Sequence, residues 1–168
     1  MGKELYIARW WGGFVGGSDD SLLLLDYFGM QQEEKLPLKG IMADLHIDTI
    51  LKNGDVNDGD AYFETEDSCE AHFDMAVDVV ADLSAILLES LESGVVEMSA
   101  LDDGGEYANT FSILADKEDV SLLLGGLDSF ISAPQEYGLA EMMTEEDLQE
   151  LVGDCIGIRD ALRRAIDY

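Results

Sequence analysis

Two histidines and two cysteines are the residues with the most specific chemistry in this chain. His46 and Asp48 are two positions apart, so on a helix the imidazole and the carboxylate point away from each other. The sequence has no G-x-S-x-G nucleophile motif, and neither cysteine lies in a sequence typical of a catalytic thiol. Acidic residues are so abundant that a pair of carboxylates carries no catalytic information. We therefore predict no catalytic residues and a protein that is not an enzyme.

Cys69 and His72 are three positions apart, which is one spacing that zinc ligands use. A zinc site needs two further ligands, and a histidine packed toward an apolar helix face is more often buried in a core. Cys155 falls in the apolar stripe of the last predicted helix and is expected to fill the core. Two cysteines are also too few for a disulfide framework. We predict no metal and no cofactor.

The loop from residue 53 to residue 60 is rich in Asn, Asp and Gly, as calcium loops are. Glu64 is the twelfth residue counted from Asn53, which is the correct place for a bidentate ligand. The sixth residue is Asp58, however, where the sharp turn of a calcium loop requires glycine. Counting from Asp55 instead places Gly59 at a ligand position. We predict an acidic turn and leave calcium binding open as the alternative.

Trp10 and Trp11 are the aromatic pair that a binding surface could use. If the predicted strand Lys3–Trp10 continues through them, adjacent residues point to opposite faces, so one is core and the other is free. Trp11, with Phe14 in the glycine-rich loop, is then a candidate interface anchor. Packing of both rings under the loop is the alternative. The loop itself matches neither the dinucleotide-binding nor the phosphate-binding glycine pattern.

The elements that would position these residues follow from apolar periodicity and from turn and capping signals. The predicted strands are Lys3–Trp10, Ala61–Glu66 and a hairpin made by Val95–Leu101 and Tyr107–Leu114. The predicted helices are Leu22–Met30 (capped by Ser18 or Asp19, with a strand at Leu22–Leu25 as the alternative), Pro37 to about Leu51, Ser68–Ser93, one after Asp116, and one from Thr144 to about Ala165, after a connecting loop at Pro134–Met143. We predict a single compact acidic α+β domain over residues 1–168, with three to four mostly antiparallel strands packed with four to five helices.

The predicted helix Ser68–Ser93 has the clearest signals. Asp67 and Glu70 have the spacing of a capping box, and Gly94 supplies a stop. Apolar residues occupy one broad arc of this helix, and acids fall on the opposite arc. The acids of that arc are Glu70, Asp74, Asp78, Asp82, Glu89 and Glu92. The sequence thus predicts an exposed acidic helix face.

Charge is the strongest feature of the composition. The chain has 37 acids and nine bases, a formal net charge of −28, and residues 53–158 contain 27 of the acids and a single base, Lys117. Such a surface repels phosphates, which excludes direct binding to nucleic acid or to an anionic membrane. The longest apolar runs have four or five residues, and no signal peptide is visible. We expect a cytoplasmic protein.

A row of like charges four residues apart costs a helix about 0.2–0.5 kcal/mol per pair, which indicates that the acids serve a purpose other than stability. Their spacing along the helix, about 6 Å, is close to that of phosphates on a DNA strand. In size and charge the chain resembles small bacterial inhibitors, namely immunity proteins that block nuclease toxins and phage or plasmid proteins that imitate DNA. That resemblance implies a basic protein partner.

We therefore predict an immunity- or antitoxin-like inhibitor that occupies the basic, nucleic-acid-binding surface of a partner such as a nuclease toxin. The alternatives are a DNA-mimic protein directed against restriction or defence systems, and an enzyme or housekeeping domain from a salt-adapted proteome. The predicted partner-binding residues are Glu70, Asp74, Asp78, Asp82, Glu89, Asp102, Asp103 and Trp11.

Overall fold

The computed structural model describes residues 5–54, 56–57, 59–102 and 105–166. Within these ranges the chain forms seven α-helices and two short 3-10 helices, Pro134–Glu136 and Gly138–Met142. The α-helices are α1 (Asp19–Gly29), α2 (Leu38–Asp44), α3 (Ile47–Asn53), α4 (Ala76–Ser93), α5 (Met98–Leu101), α6 (Lys117–Ser132) and α7 (Glu145–Ile166).

The strands are short and form three small sheets in the described part of the chain. They are β1 (Trp11–Gly13), β2 (Val15–Gly16), β3 (Lys35–Pro37), β4 (Tyr62–Glu64), β5 (Glu70–His72), β6 (Val96–Glu97) and β7 (Thr110–Leu114). In the three-stranded sheet, β7 lies in the middle, parallel to β3 and antiparallel to β6. The helices and strands pack into one α+β fold, which confirms the predicted fold class.

Helix α4 is the centre of the fold. It packs against α1, α6 and α7 and against β6 and β7, and residues 81–90 are all buried. A helix covered on every side needs apolar residues around its whole circumference, and α4 supplies them with a run of Val, Leu, Ile and Ala. The two acids within this buried stretch, Asp82 and Glu89, are therefore inside the protein.

Local capping signals locate several helix ends correctly. Ser18 caps α1, since its Oγ accepts the backbone N–H of Ser21 at 3.1 Å. Asp116 caps α6 through the N–H of Asp119, and Thr144 caps α7 through the N–H of Asp147. Each of these caps joins residues three positions apart, so the sequence alone contains the whole interaction. α4 also ends at Ser93, with Gly94 as the predicted stop, and Gly94 has a left-handed conformation.

The predicted start of the long helix at Ser68 is wrong. The helix begins at Ala76, and Glu70–His72 forms strand β5, which pairs antiparallel with β4. Asp67 and Glu70 consequently belong to a β-hairpin and make no capping box. The hairpin is closed by the N–H of Thr65, which donates to the carbonyl of Cys69 at 2.8 Å. Pairing with the strand Ala61–Glu66, which the sequence did predict, overrides the local helix signal.

Three other predicted elements differ from the structure. Within the predicted strand Lys3–Trp10, residues 1–4 lie outside the described residues and residues 6–10 form a turn, in which the N–H of Trp10 donates to the carbonyl of Ile7. The predicted helix from Pro37 to Leu51 is divided into α2 and α3 by His46, whose φ of 61° is left-handed. The predicted hairpin has the correct antiparallel pairing of β6 with β7, but residues 98–101 are helical.

Candidate functional site

Asp82 was predicted to lie on an exposed helix face, and this is wrong because the residue is 1% exposed. Its Oδ1 accepts the backbone N–H of Gly16 at 2.9 Å, and its Oδ2 accepts the hydroxyl of Ser21 at 2.5 Å. Burial raises the pKa of Asp82 to about 7, although these two hydrogen bonds act to lower it. Asp82 thus joins the glycine-rich loop and α1 to the central helix.

Glu89 is buried to the same degree, so its predicted exposure is also wrong. Its Oε1 accepts the backbone N–H of Ile7 at 3.2 Å, and its Oε2 accepts the hydroxyl of Ser93 at 2.7 Å. A buried carboxylate that holds an otherwise unpaired backbone N–H stabilises the fold. Glu89 therefore attaches the N-terminal segment to α4.

Asp20 provides the N-terminal cap of α4 from a different helix. Its Oδ1 accepts the backbone N–H of Asp74 at 2.8 Å, and its Oδ2 accepts that of Met75 at 2.9 Å. Met75 occupies the N-cap position itself but has no side-chain oxygen with which to cap. Asp20 is buried, on the first turn of α1, so this contact fixes α1 against the start of α4.

Asp78 lies in the first turn of α4, half-buried and close to Asp20 and Asp82. The pKa of Asp78 is raised to about 8, mainly by burial and also by the charges of Asp82 and Asp20. Asp74 is exposed at the point where the hairpin enters α4. The structure therefore does bring Asp74, Asp78 and Asp82 together, as a cluster around a helix N-terminus rather than as a row along an exposed helix.

The hairpin is a short segment with many exposed acids. We call residues 60–74 the acidic hairpin; its exposed acids are Asp60, Glu64, Glu66, Asp67, Glu70 and Asp74. Glu64 and Glu70 are directly opposite each other in the β4–β5 register. Like charges at such a position destabilise a sheet, and the chain has no lysine or arginine between Lys52 and Lys117 to neutralise them.

A stack of three rings supports this hairpin. The ring of Tyr62 lies between those of His46 and His72, with centroid distances of 3.8 Å and 5.0 Å. His72 contacts Asp60 at 3.0 Å and Glu70 at 3.3 Å. The hydrogen bond to Asp60 is the main cause that raises the pKa of the exposed His72, and the contact with Glu70 adds to it. When it is protonated, His72 places a positive charge beside two acids of the hairpin.

A groove runs beside the hairpin. It consists of two cavities, of about 380 Å³ and about 510 Å³, that are both lined by Met30 and Gln31. The first is also lined by Tyr27, Ala43, Asp44, His46 and Glu64, and the second by Gly29, Gln32, Thr65, Glu66, Asp67 and Tyr107. Among these described lining residues, four are acids and none is a lysine or an arginine. The groove is therefore a concave surface with an acidic lining.

Trp11 is half-buried, and its indole N–H donates to the carbonyl of Leu101 at 2.9 Å. Trp10 and Phe14 are also half-buried, which favours the alternative that the rings pack around the loop. Asp102 is half-buried after α5, and Asp103 lies outside the described residues. Neither Trp11 nor Asp102 is adjacent in sequence to the acidic hairpin, and their predicted partner binding stays a prediction.

The structure tests the zinc and calcium alternatives at the residues that it describes. Cys69 is exposed in the hairpin turn, and both Cys69 and His72 belong to the hairpin instead of the predicted helix Ser68–Ser93. Asp55 and Asp58 of the calcium-like loop lie outside the described residues. In the described ranges no group of three or more His, Cys, Asp or Glu side chains could hold a metal ion. Cys155 is buried in α7, which confirms its predicted core position.

Sequence reasoning missed two features of this region. The cap from Asp20 to α4 joins residues more than 50 positions apart, and no local signal predicts such a contact. The position of the groove acids Glu64, Glu66 and Asp67 could have been predicted. The predicted strand Ala61–Glu66 is followed by an acidic, serine-containing turn, which is a signal for a hairpin. Recognising a second strand at Glu70–His72 would have placed them on a hairpin.

Within the described residues, the structure defines a small α+β protein that carries an acidic hairpin beside a groove. No helix in the described ranges has the length and apolar character that crossing a membrane requires. The family model described as Immunity protein 68 matches residues 6–162, almost the whole chain, and the chain belongs to this family. Comparison with curated proteins and with solved structures gives no match.

Proposed function

We propose that this chain binds and inhibits a cognate toxin by covering a basic surface of that toxin with the acidic hairpin. Membership of an immunity protein family implies a toxin partner and suggests a non-enzymatic inhibitor. The observation that carries the proposal is the concentration of six exposed acids in residues 60–74, without a lysine or an arginine among them. The fitting partner is a nuclease or another toxin with a basic, nucleic-acid-binding surface.

The like-charge pair in the hairpin is the energetic argument for a binding role. Glu64 and Glu70 repel each other in the free protein, and such a pair costs a sheet roughly 0.2–1 kcal/mol relative to a neutral pair. A lysine or arginine of the partner placed between them would convert this repulsion into two attractions. The free energy that folding loses is thereby regained on binding.

The charge of the whole chain acts at longer range. A net charge of −28 attracts a basic protein before the two surfaces touch, which raises the association rate. Salt screens this attraction over a distance of about 10 Å at 0.1 M. The direct contacts within the groove are screened less, because they exclude water. Binding should therefore be fast at low salt and slower, yet still specific, at high salt.

The test uses two variants that remove the same number of charges. The hairpin variant carries Glu64→Gln, Glu66→Gln, Asp67→Asn and Glu70→Gln. The control variant carries Glu92→Gln, Glu118→Gln, Glu136→Gln and Glu150→Gln, four exposed acids outside the hairpin. Each immobilised protein is exposed to a lysate of the native host at low and high salt, and retained proteins are identified by mass spectrometry.

We expect the wild-type protein and the control variant to retain one basic protein at low salt. That protein should be toxic when it is expressed alone, and co-expression of the wild-type chain should relieve the toxicity. The hairpin variant should retain little of it and protect poorly. Retention of the toxin by the hairpin variant at the wild-type level would contradict the proposed surface. A retained protein that is not toxic would contradict the proposed function.

A further inference from the structure

A second concave site lies where the N-terminal ends of α1 and α4 meet the 3-10 helix Gly138–Met142. It is a cavity of about 250 Å³, below the usual size of a small-molecule site and suited to a single side chain. We call it the methionine pocket. The residues that give it its character are Phe14, Asp74, Met75, Asp78, Met142 and Met143.

The walls of this pocket combine two chemistries. Three methionines and a phenyl ring supply a polarisable, apolar surface that adapts to the shape of a guest. Asp19, Asp74 and Asp78 supply carboxyl groups. Asp20 also lines the pocket, but both of its oxygens already accept backbone N–H groups at the start of α4. No lysine or arginine lies among the described lining residues.

We propose that the methionine pocket receives a single arginine side chain. The methylene stem would pack against the methionine side chains, and the guanidinium would face the carboxyl groups of Asp78 and Asp74. Arginine fits better than lysine, because its planar head can both stack on Phe14 and donate two parallel hydrogen bonds to a carboxylate. Met142, which is 68% exposed beside the pocket, would be covered by the bound chain.

The arginine is assigned to the toxin, and in this respect the inference rests on the proposed function. Arginine is enriched among the residues that dominate binding at interfaces, especially where it enters a pocket. Asp74 is both the last acid of the acidic hairpin and a lining residue of the methionine pocket, so the two surfaces are continuous. A toxin that lies on the hairpin could therefore also insert one side chain here.

The pocket chemistry can be tested without the toxin. The probes are Nα-acetyl-arginine amide and Nα-acetyl-citrulline amide, which have the same shape but differ in charge. The protein is labelled with ¹³C at its methionine methyl groups, and NMR follows each methyl signal during titration. Met75, Met142 and Met143 report on the pocket, Met30 reports on the hairpin groove, and the buried Met42 and Met98 serve as internal references.

We expect the arginine amide to shift the three pocket signals with saturation, while the citrulline amide leaves them unchanged. At pH 9, above the pKa of about 8 to which burial raises Asp78, Asp78→Asn should weaken binding of the arginine amide by at least about tenfold. Glu92→Gln, which removes an exposed acid at the other end of α4, should leave the affinity unchanged. If Asp78→Asn does not fold, Asp74→Asn, on an exposed residue, should weaken binding in the same direction.

Three results would overturn the inference: pocket signals that do not move, equal shifts with both amides, or a shift confined to Met30. These results are independent of toxin capture. If the arginine amide binds but no toxin is retained, the proposed function fails and the pocket assignment stands. If a toxin is retained through the hairpin while the arginine amide does not bind, only the pocket assignment fails.

Discussion

Glu64 and Glu70 face each other across β4 and β5, so two like charges occupy one end of an isolated two-stranded sheet. A two-stranded hairpin is marginal by itself and depends on its side chains and on packing against the rest of the protein. At the opposite end of this sheet, Tyr62 and His72 are paired and their rings stack. Phe63, the middle residue of β4, is buried. The hairpin is therefore anchored by its aromatic residues while its outer end presents repelling carboxylates.

Glu64→Gln should stabilise the free protein by a few tenths of a kcal/mol, up to about 1 kcal/mol, because it removes this cross-strand repulsion. Glu64 is preferred to Glu70 for the test, since Glu70 also contacts His72. The free energy of unfolding from urea titration measures the effect. Glu150→Gln, on an exposed helix position, should change it little, and a loss of stability in Glu64→Gln would refute the repulsion argument.

Asp20→Ala should destabilise the protein by about 1–2 kcal/mol, because the N–H groups of Asp74 and Met75 lose their acceptor at the start of α4. Asp19→Ala is the matched control. Asp19 is the exposed neighbour of Asp20, and within the described helices its side chain makes no hydrogen bond to α4. Urea unfolding of both variants gives the comparison. Equal effects of the two substitutions would mean that Asp20 acts only through the charge of the first turn of α1.

The hydrogen bonds at the helix N-termini show which parts of the structure the sequence could predict. The caps made by Ser18, Asp116 and Thr144 join residues three positions apart, so their geometry depends only on local backbone conformation. The helix ends that they mark were predicted correctly. The core position of Cys155 follows in the same way from the period of α7.

The predictions that were wrong concern features that depend on residues distant in the sequence. The pattern Asp67-x-x-Glu70 is a valid capping signal, but pairing with Tyr62–Glu64 draws the segment into a strand. Asp82 and Glu89 lie on the polar arc of their helix, as periodicity requires. They are buried because Gly16, Ser21 and Ile7, all more than 60 residues away, supply their hydrogen bonds. No local pattern distinguishes such an acid from a solvated one.

The stability of the free protein should fall as pH rises from about 5 to about 9. The pKa of Asp78 is raised from 3.8 to about 8 by burial and by the facing carboxyl groups of Asp82, Asp20 and Asp74, and that of Asp82 is raised to about 7. Over this pH range Asp78 and Asp82 keep their protons longer in the folded protein than in the unfolded chain. The stabilisation is therefore complete below the unfolded pKa and is lost as pH passes through the folded values.

Asp78→Asn should flatten this pH dependence and stabilise the protein at pH 9 by at least about 1 kcal/mol, the equivalent of a single pKa unit. Glu92→Gln, at an exposed site near the C-terminal end of α4, should keep the wild-type slope. Urea unfolding at several pH values measures both. A slope in Asp78→Asn as steep as that of the wild-type protein would show that the cluster at the start of α4 does not control it.

The melting temperature should rise with sodium chloride, because self-repulsion at a net charge of −28 opposes the folded state and salt screens it. Thermal melts monitored by circular dichroism between low and high salt measure the shift. The hairpin variant with four neutralised acids should melt higher at low salt and respond less to added salt. A melting temperature that salt does not change would mean that the acids are already neutralised by bound cations.

The rate at which the hairpin and control variants associate with the captured toxin is the most direct test of the proposed binding surface. Stopped-flow measurements over a series of salt concentrations separate the contribution of the hairpin acids from that of total charge. We expect the hairpin variant to associate about tenfold more slowly than the control variant at low salt, with the difference shrinking as salt rises. Equal association rates for the two variants would contradict the assignment of the acidic hairpin as the toxin-binding surface.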